Sequence, residues 1–226
     1  MSLTREELIA EQRRIAALEP VAWTVPGAGY GVGGCFVAFQ RGIIGRGRCG
    51  DRCWAAAAVW RGGRVTGESV LAGTAGAPYE PGLLFLREGK LLLAAIRMLP
   101  ALPAVLLVNG TGRDHPRGAG LAVHLGMVLD LPTVGITDRP LLAVGEKPAP
   151  EAGNAASLTL EGKPAGYRLR PRKGVRSIVV HAGWRTGPDV ALAVARTVLH
   201  RARTPEPIRL ARQLARRARS ASVTPP

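Results

Sequence analysis

Hydrophobic and polar positions recur along this chain with two periods, one helical and one extended. Leu8, Ile9, Ile15 and Ala16 fall on one side of a helix over residues 4–18, with charges elsewhere, and Pro20 and Pro26 close it. "YGVGGCFVAF" (30–39) reads as a buried strand, followed by a Gly/Arg-rich loop at 41–50. "CWAAAAVW" (53–60), the turn "RGGR" and "VTGESVLAG" (65–73) predict a hairpin. Residues 81–99 predict a helix with Pro81 near its start, and "PAVLLVN" (103–109) a short apolar strand of parallel-sheet character. A helix over 117–130 and a strand over 132–137 follow. Small strands at 156–160 and 166–170 interrupt a polar, turn-rich region, ahead of a strand at 176–183. Helices at 188–202 and 206–219 complete the pattern, the second strongly basic. Three meander strands, then alternating helix and strand, predict an α/β fold: a mixed sheet with helices on both faces. The expected organisation is a single domain over 1–226 with a flexible tail from about 220 to 226.

Composition narrows this picture. A hydrophobic share of 46% belongs to a globular chain rather than a disordered one. The opening "MSLTREELIAEQRRIAALEP" mixes both charge signs and lacks the apolar centre of a signal peptide. No run reaches the roughly 18 apolar residues that cross a bilayer. A cytoplasmic protein without membrane attachment is the expectation. Cys35, Cys49 and Cys53 are too few, and odd in number, for a disulfide framework. Cys49 and Cys53 form a C-x3-C pair that either holds zinc or stays as free thiols; no second pair lies near in sequence.

Charge changes the picture most. Lys plus Arg number 31 against 16 Asp plus Glu, a formal net charge of +15, and nearly all the cations are arginine. The planar guanidinium fork suits bidentate phosphate contact, so such a surface attracts polyanions, nucleic acid above all. Biased codon usage would give the same Arg, Ala, Gly and Pro abundance without a partner.

Two stretches carry candidate chemistry. In "APYEPGLLFLRE" (77–88), Pro78 and Pro81 stiffen a short loop and hold Tyr79 at its tip. An aromatic there either stacks on bases or packs its own loop. Glu88 lies among apolar neighbours and faces solvent or a site. In "LLVNGTGRDHPRGAG" (106–120), an apolar strand ends at Asn109 and opens into a glycine-rich loop with His115.

Together, Pro-Tyr-x-Pro-Gly, "FLRE" and the later Gly-x-Gly-x-x-His-Pro-Arg resemble the endonuclease V family. "LIAEQRRIA" (8–16), "VGGCFVAF" and "LGMVLDLPTVGIT" (125–137) are similar to that family in order and spacing. The resemblance implies an RNase H-like α/β fold, with a mixed five-stranded sheet flanked by helices on both faces. It also implies a DNA-repair hydrolase, a nuclease that recognises deaminated adenine (the base of inosine) and nicks the strand nearby. Magnesium or manganese serves the family's phosphodiester chemistry, held by two aspartates, with a glutamate and a histidine assisting. Pro78, Tyr79 and Pro81 are implied as a wedge, and Gly82, Gly110 and His115 as the inosine pocket.

At the implied catalytic positions this chain departs from the family. The first-strand aspartate falls at Cys35, the second-strand aspartate at Asn109, the late histidine at Trp184 and a lysine at Asp138, whereas Glu88 persists. A thiol is a poor magnesium ligand and an amide oxygen brings no charge. Ion binding through Glu88 and Asn109 is therefore expected to be weak if it occurs. The resulting expectation is a monomeric protein that holds DNA or RNA through its arginine-rich surface and cleaves it little. Two alternatives stand beside it: an active nuclease with a metal site rebuilt using Asp51 or Asp114, with His181 replacing the missing histidine, and a scaffold for another acidic partner. Asp114 is otherwise expected to cap the helix at 117, and Cys35 to be a buried structural thiol.

Overall fold

The computed structural model describes residues 3–222. Its strands are β1 (Val32–Phe39), β2 (Arg52–Arg61), β3 (Arg64–Thr74), β4 (Val105–Val108), β5 (Thr133–Thr137), β6 (Ala155–Leu160), β7 (Lys163–Leu169) and β8 (Ile178–Ala182). All eight join one sheet in the order β3-β2-β1-β4-β5-β8-β7-β6. The implied five-stranded sheet is therefore too narrow. β3 to β5 form the expected mixed block, in which β1, β4 and β5 run parallel. Beyond them β8, β7 and β6 add an antiparallel wing. The wing arises from the polar 138–175 region and the strand that follows it, whose short apolar runs were legible separately.

The helices are α1 (Arg5–Ala16), α2 (Lys90–Arg97), α3 (Leu121–Leu129), α4 (Pro188–Thr197) and α5 (Glu206–Ala221). Thr4 and Glu7 close a reciprocal capping box that starts α1. Period-two alternation in β1 divides the core. Cys35 and Val37 point to the layer of α1, α2 and α3, while Val32 and Ala38 point to that of α4 and α5. α5 continues through Ala221, so residues 220 and 221 of the expected flexible tail are helical; residues 223–226 of that expectation lie outside the described ones.

α5 lies directly on β1. A Cβ at Gly34 would come within 2.3 Å of the Pro207 carbonyl carbon, so only glycine allows this approach.

The helix read at 117 begins instead at Leu121, and Asp114 does not cap it. Asp114 is fully buried and accepts backbone N–H bonds from Leu141, Leu142 and Ala143 at 2.7, 2.8 and 2.9 Å. Its carboxylate fastens the segment after β5 to the loop after β4. The carboxylate also faces Nδ1 of buried His181 at 3.5 Å, and His181 Nε2 lies 2.7 Å from the Thr137 hydroxyl. Burial lowers the imidazole pKa to about 4, so this histidine is neutral and part of the packing.

Candidate functional site

Parallel pairing sets the first two groups side by side. Cys35 of β1 registers with Val108 of β4, and Asn109 follows immediately at the carboxyl end of that strand. Carboxyl ends of parallel strands are where α/β sheets form their clefts. The Cys35 thiol donates weakly to the Leu107 carbonyl at 3.9 Å, and Asn109 is exposed. Cys35 is completely buried; desolvation, reinforced by the nearby Glu88 charge, raises its pKa and keeps it a thiol.

Glu88 reaches this place through an irregular helix start. The segment read as a helix from 81 begins with a π-helical turn, Phe85–Gly89, and becomes α-helical only at Lys90. Such turns are rare and recur at functional sites. Some of the Glu88 surface stays accessible, yet protein crowds the carboxyl closely enough that desolvation raises its pKa to about 7, with Arg87 opposing. Among the described residues the Glu88 carboxylate makes no hydrogen bond or ion pair. Its neighbour Arg87 turns the other way, is buried over the Phe39 ring at 4.1 Å, and donates to Asp51 at 3.1 Å and to the Ala77 carbonyl at 2.7 Å. Asp51 also accepts the Arg48 N–H, which holds its carboxyl below the usual range. Asp51 is thus committed to neutralising Arg87.

Beside this cluster opens a cleft of about 310 Å³, lined by Tyr79, Pro81, Gly82, Asn109, Gly110 and His115 among others. Tyr79 is 46% exposed at the loop tip, its N–H held by the Arg46 carbonyl at 2.7 Å. Gly82 adopts φ +77°, which its lack of a side chain permits. Its carbonyl accepts from three side chains: Gln12 at 2.9 Å, Arg117 at 2.9 Å and His115 Nε2 at 3.0 Å. His115 Nδ1 accepts the Arg117 N–H, so the proton resides on Nε2. Burial lowers the His115 pKa to about 4, which keeps that tautomer neutral. The wedge loop is therefore anchored at its base and along its backbone, with Tyr79 partly exposed at the tip.

Neither Gln12 nor Arg117 was singled out from sequence. Gln12 had a signal, being the polar residue within the buried stripe Leu8, Gln12, Ile15 of α1. Arg117 was visible only as the last residue of His-Pro-Arg.

The structure does not bring Trp184 to this cluster. β8 runs antiparallel to β5, with Ala182 opposite Val134, so Trp184 emerges at the amino end of β5, away from Asn109. It packs with Ile15, Ala119 and Val123. Its implied alignment with the family histidine is corrected accordingly. Asp138 does lie at the cleft, exposed, and paired with Arg203 at 2.6 Å. Cys53 is buried in β2, while Cys49 is exposed in the preceding loop, and no disulfide links the three cysteines.

The donor set does not fit a magnesium ion. It comprises one carboxyl with a pKa of about 7, one thiol held protonated by burial, and one neutral amide. Magnesium requires hard, charged oxygen ligands in octahedral array. No group of three or more His, Cys, Asp or Glu suited to a metal exists among the described residues. No helix among them is long and apolar enough to cross a membrane.

Comparison with known proteins gives one answer. A sequence model of the endonuclease V family matches residues 32–213. Endonuclease V of Thermus thermophilus is 48% identical over 143 residues, a match covering 62% of this chain and 63% of that relative's length. The crystal structure of endonuclease V from Streptomyces avermitilis superposes with a TM-score of 0.85 at 34% identity, covering 98% of this chain and 95% of that one. Endonuclease V of Ciona intestinalis, in complex with DNA containing an inosine, shares the fold with a TM-score of 0.79 at 19% identity, covering 96% and 98% of the two chains.

Proposed function

Because this chain belongs to the endonuclease V family, we propose that it grips nucleic-acid strands carrying a deaminated base, such as hypoxanthine, and cleaves them weakly or not at all. One contrast carries this reading. Tyr79 and Pro81 of the wedge and the pocket residues Gly82, Gly110 and His115 lie around a single cleft, while the neighbouring metal position offers Cys35, Asn109 and a proton-retaining Glu88. A flipped base fits a pocket walled by backbone, and a rigidly based aromatic fills the gap it leaves. The +15 charge supplies the attraction for phosphate. The Ciona protein's inosine-containing DNA supports the choice of ligand.

Without a hard-ligand cage, no divalent ion is held to neutralise charge at the scissile phosphate. Losing the ion removes several kcal/mol of transition-state stabilisation, and about 1.4 kcal/mol is already tenfold in rate. What remains to the chain's own residues is to bind, orient and partly dehydrate the strand.

The test uses a labelled inosine-containing oligonucleotide with magnesium or manganese, and Glu88→Ala as control. Retention of the strand, preference over the adenine counterpart and no nicking above the control are expected. Metal-dependent nicking that disappears in Glu88→Ala replaces this reading with that of an active nuclease. No affinity for any DNA or RNA at moderate salt points to the scaffold role instead.

Tyr79→Ala is expected to reduce inosine preference about tenfold, within the roughly 1–3 kcal/mol of one stacked base, and to leave affinity for undamaged strands unchanged. Competition anisotropy with the two oligonucleotides measures both. Equal preference in variant and wild type removes Tyr79 from the recognition element.

A further inference from the structure

On the face of β1 opposite Cys35, the Arg212 cation has neither a counter-ion nor a hydrogen-bond partner among the described residues. The Arg212 guanidinium of α5 lies over the Phe36 ring, its carbon 5.0 Å from the ring centroid. Its Nε is buried without a hydrogen-bond partner, and Arg212 makes no ion pair or hydrogen bond among the described residues. Arg219, whose Nε is likewise orphaned, at least donates through Nη1 to the Phe39 carbonyl at 3.1 Å. Arg212 also feels two further cations, Arg203 and Arg216, against a single opposing Asp138. That aspartate is already bonded to Arg203 at 2.6 Å. A half-buried cation in this setting is costly unless an anion completes it.

Its position gives the anion an identity. Phe36 is one residue beyond the Cys35–Val108 pair, and therefore level with Asn109 at the carboxyl edge of β4. Asp138 follows β5 at the same edge and lines the cleft. Arg212 thus approaches from α5 the same edge that Glu88 approaches from the opposite layer.

We propose that Arg212 is a phosphate-binding residue, its guanidinium taking a backbone phosphodiester of the strand held in the cleft and supplying positive charge there without a metal ion. Stacking on Phe36 fixes the guanidinium plane and leaves its outer nitrogens for a bidentate contact with two phosphate oxygens. Arg203 and Arg216 add longer-range attraction. This inference rests on the nucleic-acid-binding reading and deepens it by naming the contact.

The test is fluorescence anisotropy with an inosine-containing single strand, in chelator, over a series of salt concentrations. Wild type, Arg212→Gln, Arg212→Lys and the distant surface control Lys163→Gln are compared. One phosphate contact on a single strand contributes about 0.7 to the slope of log K against log salt. Arg212→Gln should lower that slope by about this amount, weaken binding roughly five- to twentyfold, and melt no lower than wild type. Arg212→Lys should keep the slope and lose part of the affinity, because a point charge replaces a fork. Wild-type binding with an unchanged slope in Arg212→Gln, or in Arg212→Lys an affinity equal to wild type, overturns the proposal and leaves the binding reading standing. Wild type that binds no strand overturns both. Should Arg212→Gln not fold, the Arg212→Lys affinity decides alone.

Discussion

The double variant Cys35→Asp, Asn109→Asp is expected to nick inosine-containing strands in manganese at least about 100-fold faster than wild type, roughly 2.7 kcal/mol of barrier. The two substituted positions sit on neighbouring strands, Cys35 paired with Val108 and Asn109 next along β4, with Glu88 close enough to influence the Cys35 thiol. Aspartates there would complete a three-carboxylate cluster able to hold a divalent ion against a phosphate. The same change should weaken the metal-free protein, because Cys35 is fully buried and like charges would crowd Glu88. Manganese should then raise the melting temperature of the double variant and hardly move that of wild type. Trp184 needs no change, since it packs between α1 and α3. A folded double variant that binds manganese and still leaves strands intact would show that these positions are not the family's metal-binding pair.

The second large effect concerns Glu88 and pH. Its carboxyl has a pKa of about 7 in the folded protein against an ordinary 4.5, so folding favours the protonated form. That advantage is fully present below about pH 4.5 and is lost as pH rises through 7. Above it, wild type carries a poorly solvated carboxylate that costs up to about 3 kcal/mol, less whatever solvent at its accessible edge relieves. Glu88→Gln has no such charge. It should match wild type at pH 4 and exceed it at pH 8 by ~2 kcal/mol, or roughly 4–8 °C in melting temperature. Thermal melts of both proteins across that range provide the measurement. Parallel curves would mean that the Glu88 carboxyl ionises as it does in water.

Much of this was legible in the sequence, for identifiable reasons. Short apolar runs marked β1, β2, β4, β5 and β8, because burial on both faces leaves little room for polar residues, whereas the more exposed β3, β6 and β7 were read from the turns that bound them. The count of five came from the resemblance, which describes the parallel-containing block and omits the antiparallel wing. The Tyr79 loop and the His115 loop were visible as motifs, and pairing of β1 with β4 accounts for the meeting of Cys35 and Asn109. Three features were not visible. The π-helical turn depends on how residues 76–89 pack, and periodicity over so few residues does not distinguish it from an α-helical turn. Asp114 looked like a helix cap because it precedes an apolar helix, whereas its partners lie at 141–143, distant in sequence. Trp184 was placed by motif spacing alone, and only strand direction shows which end of the sheet it occupies.

The contact between Gly34 and Pro207 joins residues from opposite ends of the sequence. Until α5 has been synthesised, the side of the β1–β2 ribbon formed by Trp54, Ala56 and Ala58 has no cover. A ribosome therefore releases a growing polypeptide whose earliest hairpin is greasy on one side and whose Arg212 is still unmade. Premature termination before Glu206 should yield a sticky fragment and a client for chaperones, rather than a smaller working protein.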